Sequence, residues 1–133
     1  MSFVNVPENA KSVALSAVIT RADVLRLQAL VAQVFVEDSV LDYILRIVTA
    51  TRSEAEFKSG VSVRGGLALR TAAQARALVH GRDFVLPDDV VNLVTPILSH
   101  RLSLARQTSD ALEERRAIVT VLRRIVASLA LPT

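Results

Sequence analysis

Residues 60–102 read GVSVRGGLALRTAAQARALVHGRDFVLPDDVVNLVTPILSHRL. Gly60, Val61, Ser62, Val63 and Arg64 lead into a helix, with Ser62 as its expected N-cap because its hydroxyl can accept from the first free amides. Ala68, Ala72, Ala75 and Val79 recur at helical spacing and predict a small-residue face that permits close helix packing. Gly81 follows as the residue beyond the C-cap, where a left-handed conformation costs glycine little. Arg82 to Val85 reads as a short extended link. Pro87 then sits in the first turn of another helix, with Asp88 and Asp89 favourable at its positive end. Pro96 is expected to kink that helix or divide it near Val94.

The same grammar extends both ways. Upstream, Thr20 with Asp23 three residues on predicts a capped helix, whose stripe is Val24, Leu27, Val31 and Val34. Phe35 and Val36 break it as a short extended link. Asp38 is the expected cap of a second, central helix, with Leu41, Ile44, Leu45 and Val48 on its buried face and an end near Thr51 and Arg52. Residues 53–59 are a polar loop, as are 103–110. Asp110 caps a last helix with the stripe Ile118, Leu122, Ile125 and Leu129, and Pro132 lies beyond its end. The expectation is an all-α domain over residues 20–133, a small bundle of about five helices with extended links near 35–36 and 83–85. Residues 1–19 contain Asn5, Pro7 and Asn9 and read as a linker or docking arm, although Val13, Leu15, Val18 and Ile19 are apolar enough to pack.

Composition narrows the chemistry. The chain is 51% hydrophobic but only 4% aromatic, so the core is aliphatic. Fourteen of its 16 basic residues are Arg, whose planar fork suits carboxylate and phosphate, yet the net charge is only +3. That surplus is small for a nucleic-acid binder, which concentrates its charge in a stripe. There is no Cys, which fits a cytoplasmic setting, and two His are too few for a histidine metal cluster. No apolar run reaches the roughly 18 residues of a membrane span. Mean hydropathy is +0.41, high enough to suggest apolar surface that something else covers.

Several sites are absent from the sequence. No GxxxxGK[ST] loop occurs to cradle a triphosphate, and no apolar strand ends in paired acids to hold Mg²⁺. No nucleophile elbow or zinc-protease motif occurs, and Gly65-Gly66 follows no strand. The acidic pairs Glu37-Asp38, Asp88-Asp89 and Glu113-Glu114 all fall near helix starts, where capping and dipole explain them. No catalytic residue is assigned, and the chain alone is expected to have no ATPase activity.

In combination, the Gly-x-Ser-x-Arg lead, the Ala/Leu-rich helix, Gly81-Arg82-Asp83-Phe84-Val85, Pro87-Asp88-Asp89-Val90 and the closing His100-Arg101-Leu102 resemble the C-terminal lid of MoxR-family AAA+ ATPases. Leu41-Asp42-Tyr43-Ile44 and Ala50-Thr51-Arg52 resemble the preceding lid helix. The resemblance covers residues 18–102 well and the tail from 110 more loosely. The chain has Val61 and Val63 where the family often has Ala and Pro, which removes some preorganisation of the first turn. The nucleotide-binding core that precedes the lid in the family has no counterpart in these residues, so the chain reads as an isolated lid or a piece of a longer protein.

The resemblance implies a role for Arg64 as sensor 2, the lid arginine that reaches toward bound nucleotide. An Arg in a first helical turn adds to positive potential there, a cost that an arriving phosphate removes. Ser62, Arg52 and Tyr43 are further nucleotide-binding candidates. The bland readings are a cap for Ser62, a dipole partner for Arg52 and a buried tyrosine for Tyr43. The resemblance further implies ATP and Mg²⁺ in the full-length protein, neither held stably by this portion alone. It also implies a role in chaperone-like remodelling. The implied partners are the lid's own AAA+ core domain, neighbouring subunits of a ring, and proteins with a von Willebrand A domain. Two other readings need no nucleotide: a helical protein-interaction module and a nucleic-acid-binding module resting on Arg115-Arg116 and Arg123-Arg124.

Overall fold

Thr20 opens the first helix as its chemistry predicts. Its hydroxyl accepts from the Asp23 amide at 3.1 Å, and the Asp23 carboxylate accepts from the Thr20 amide at 3.0 Å, a reciprocal capping box. The computed structural model describes residues 14–133, and among them the fold is all-α. In chain order the helices are α1 (Arg21–Gln33), α2 (Asp38–Ser53), α3 (Val63–Val79), α4 (Pro87–Leu98) and α5 (Ala111–Ser128), with a short 3₁₀ turn at Ser99–Arg101 after α4. The N-terminal segment 1–19 falls partly outside the described residues, Val13 included. Leu15, Val18 and Ile19 are exposed and do not pack, contrary to their apolar character.

α3 is the hub. It packs against α1, α2 and α4, while α5 closes the bundle from the other side across α2 and α4. The core is aliphatic, built on Ile47, Leu69, Val90, Val94, Leu98 and Leu122. The two extended links meet. The Phe35 amide donates to Asp83 C=O at 2.8 Å and the Val85 amide to Phe35 C=O at 2.9 Å, a single parallel bridge. The buried Gln74 side chain donates to Val34 C=O at 2.8 Å and ties the same corner to α3. A second, antiparallel bridge joins Phe57 to Leu104 between the two polar loops.

Several expectations need correction. Glu37, not Asp38, is the N-cap of α2, and it makes no side-chain cap bond. The buried face of α2 is Val40, Tyr43, Ile44, Ile47, Val48 and Thr51, so Leu41 and Leu45 lie at its margin, with Leu45 64% exposed. On α3 the packed small face is Gly65, Leu69, Ala73 and Ala77, rotated from the expected alanines, and Val79 is 84% exposed. α1 buries none of its own residues, and only Val34 at its end enters the core. α4 runs unbroken through Pro96. Pro96 leaves the carbonyl four residues back, on Asn92, without an amide partner, but Asn92 is exposed and water can take that place.

Candidate functional site

The lead into α3 is held by the last turn of α2. The buried Thr51 hydroxyl donates to Val48 C=O at 2.7 Å and accepts from the Val61 amide at 3.0 Å. Arg52 Nε donates to Val61 C=O at 3.0 Å. Both backbone groups of Val61 are therefore satisfied from α2, which suits a residue with no exposed surface. Gly60 makes this approach possible: a Cβ there would stand 2.4 Å from Arg52 Cα. Thr51 and Gly60 are the positioning residues that sequence reasoning missed. The available signal was a glycine just ahead of a capping serine.

From this anchored point the chain enters α3. Ser62 Oγ accepts from the Gly65 amide at 3.2 Å, and Ser62 C=O accepts from the Gly66 amide. Ser62 is thus the N-cap, as expected. The amides of Val63 and Arg64 precede the first helical hydrogen bond and have no acceptor among the described residues. The first turn of α3 carries no acidic residue. Arg64 is exposed and takes part in no ion pair among the described residues. The helix start thus combines free amides, the positive end of the macrodipole and one uncommitted guanidinium, which together can receive an anion.

Beside it lies an apolar groove of about 450 Å³ between α2 and α3. Its walls include Leu41, Leu45, Val48, Val63 and Leu67, the residues that sequence reading had partly assigned to the core. Arg52 lines the groove as well as holding Val61, so it joins the groove to the helix start. Arg70 stands on the same rim, while the Asp42 carboxylate there is taken by Arg46 at 3.0 Å. Arg101 approaches from the 3₁₀ turn: its Cδ lies 3.4 Å from where a Cβ on Gly65 would be.

Tyr43 is not brought to this surface. It is 0% exposed, and its hydroxyl is buried with no hydrogen-bond partner. Burial raises its pKa, partly offset by Arg46, whose guanidinium sits 5.4 Å from the ring centre. Nor do Arg76 and Arg82 point to a ligand. Arg82 grips Asp89 with two bonds of 2.8 Å, and Arg76 Nε stands 3.4 Å from the same carboxylate. Asp89, 3% exposed, also accepts from the Leu86 amide at 2.8 Å. Burial alone would raise its pKa, but the hydrogen bonds from Arg82 and Leu86 and the charges of Arg82 and Arg76 prevail and lower it. The Gly-Arg-Asp link is thus stapled to α4. Among the described residues no group of three or more His, Cys, Asp or Glu could hold a metal ion. No helix among them is long and apolar enough to cross a membrane.

Comparison with known proteins agrees with this architecture. The family model for the AAA lid domain matches residues 49–124. The chaperone MoxR1 of Mycobacterium tuberculosis is 38% identical, over 86% of this chain and 32% of that protein. The protein YeaC of Bacillus subtilis is 40% identical, over 89% of this chain and 36% of its own length. A solved structure of an ATPase candidate from Cytophaga hutchinsonii superposes with a TM-score of 0.71 at 27% identity. That match covers 84% of this chain and 36% of the other. The family model covers more than half of the chain, which therefore belongs to the AAA lid domain family, and the relatives it resembles include a MoxR chaperone. The chain spans about a third of the length of these two curated relatives.

Proposed function

We propose that this chain is the nucleotide-sensing lid of a MoxR-type AAA+ ATPase, with Arg64 as the arginine that pairs with the nucleotide's phosphates. The observation that carries this reading is the first turn of α3. It has an exposed Arg64, two amides without acceptors and no acid, and it is bonded firmly to the end of α2. A phosphate supplies the anion that this arrangement lacks. Ser62 shapes the helix start, and Arg52 supports it from α2. Tyr43 acts from inside the core and touches no ligand in this arrangement.

Arg64 and the two amides fit a phosphate, whereas no residue here supplies carboxylates for Mg²⁺, which falls to the AAA+ core domain. Phosphate departure removes the partner of Arg64, and the lid then shifts as a body relative to that core. The activity belongs to the full-length protein: ATP hydrolysis coupled to chaperone-like remodelling, in a ring in which the lid meets its own core domain and neighbouring subunits. Partners with a von Willebrand A domain and a cytoplasmic location belong to the same reading.

The test is kinetic. In the ATPase that carries this lid, Arg64→Ala is expected to slow hydrolysis by about ten-fold or more, since a phosphate pair of this kind contributes a few kcal/mol. Arg64→Lys should recover part of the loss. Unchanged hydrolysis and unchanged nucleotide affinity in Arg64→Ala would overturn the assignment.

A further inference from the structure

The arginines of the described chain divide into two kinds. Six are neutralised by carboxylates: Arg26, Arg46, Arg76, Arg82, Arg106 and Arg124. Arg52 and Arg101 donate instead to backbone carbonyls. Of the six that remain, Arg21 lies on α1 and Arg64 and Arg70 on α3, whereas Arg115, Arg116 and Arg123 lie together on α5, well separated in sequence from the α3 start. They take part in no ion pair among the described residues.

Helical geometry gathers them. At 100° per residue, Leu112, Arg116, Val119 and Arg123 fall on one stripe, opposite the buried Ile118, Val121, Leu122 and Ile125. Arg115 flanks the stripe, and Leu112 on it is more than half exposed. The shallow depressions that contain Arg116 and Arg123 have no carboxylate in their walls. The acids of α5 are engaged elsewhere: Glu113 pairs with Arg106, and Glu114 accepts from the Leu104 amide. Arg124, next in sequence to Arg123, points away and bonds Glu54 and Glu56. The fold therefore uses one arginine of that pair and leaves the other outward.

We propose that this face of α5 docks an acidic amphipathic helix of another protein. Arg116 and Arg123 are two helical turns apart, about 10.5 Å at the usual rise per residue. Carboxylates seven residues apart on a parallel or antiparallel helix meet both. An aliphatic side chain between them covers Val119, and one a turn beyond the Arg116 partner covers Leu112, giving the alternation of anchor and charge typical of helix-on-helix recognition. Nucleic acid suits the face less well. α5 has no aromatic side chain on which a base could stack, and an exposed leucine within a short basic stripe adds nothing to phosphate binding. Plain solvated arginines would bind neither.

The inference is independent of the nucleotide reading and is tested on the chain itself. The probe is a labelled helical peptide with Glu at two positions seven apart and Leu between, followed by fluorescence anisotropy at low ionic strength. Saturable binding is expected, weakened about ten-fold or more by the double change Arg116→Glu, Arg123→Glu, as for paired charges at an interface. A peptide with Lys in place of Glu should bind the double variant better than the original chain. Arg64→Ala should leave peptide binding unchanged, which separates this face from the α3 start. Circular dichroism checks that the double variant keeps its helices, as substitutions at exposed positions should allow. Absence of saturable binding, equal binding by the double variant, or tighter binding of a DNA oligonucleotide of similar charge would each overturn the proposal.

Discussion

At the scale of single residues, Asp89 is the side chain whose environment has the clearest consequence. Its folded-state pKa is lower than that of an unfolded carboxylate. Its contribution is therefore complete above the ordinary carboxylate range and is lost as pH falls below about 4 toward the folded value. Asp89→Asn should lower stability by about 2–4 kcal/mol near neutrality, because Arg82 and Arg76 lose their shared partner. The difference from the parent should shrink as urea melts are repeated at falling pH. Tyr43 predicts the reverse. Its hydroxyl is buried without a partner, so Tyr43→Phe should leave stability unchanged or raise it by about 1 kcal/mol. A large loss in the melt would mean that the hydroxyl has a partner, such as an ordered water. Ser62 and Thr20 were legible from sequence because a cap is a local device, read within three residues. The burial of Asp89 was not: its partners Arg76 and Arg82 belong to another helix and a link, and spacing alone suggested only a dipole role.

At the scale of elements, the α2–α3 corner is where substitution should have the sharpest effect. Gly60→Ala places a methyl group against Arg52 backbone, where no flexible side chain can yield. A cost of about 1–3 kcal/mol is expected, as for other overpacked sites, visible as a lower thermal midpoint. If the midpoint is unchanged, the corner opens more readily than the two bonds to Val61 suggest. Helix number and order were legible because caps, Gly81, Pro87 and the polar loops punctuate the chain. Helix rotation was less so. On α3 the alanines occur all round the helix, so the apolar pattern has little contrast to phase it, and Gly65 supplied close packing that an alanine stripe could not reveal. On α2, Leu41 and Leu45 share apolar character with the core residues Ile44 and Val48, and only packing shows which side α3 leaves open.

At the scale of the whole molecule, the high mean hydropathy has a structural counterpart in the open α2–α3 groove and the exposed Val24, Leu25, Leu27 and Leu30 of α1. Purified alone, the chain is expected to bind a hydrophobic dye and to associate with rising concentration. Leu45→Glu with Leu67→Glu should reduce both, with helicity retained in circular dichroism. Sedimentation unaffected by that pair would place the sticky surface elsewhere. The corner at Val61 gives the molecule a further, mechanical property. Its amide and carbonyl are each gripped from α2, so the two bonds act side by side across one residue. A tug on Arg64 loads them in shear together rather than peeling one after the other. On the proposed role of Arg64, such a joint would let α2 and α3 turn together as a stiff crank, with little of the movement taken up in stretching the hinge.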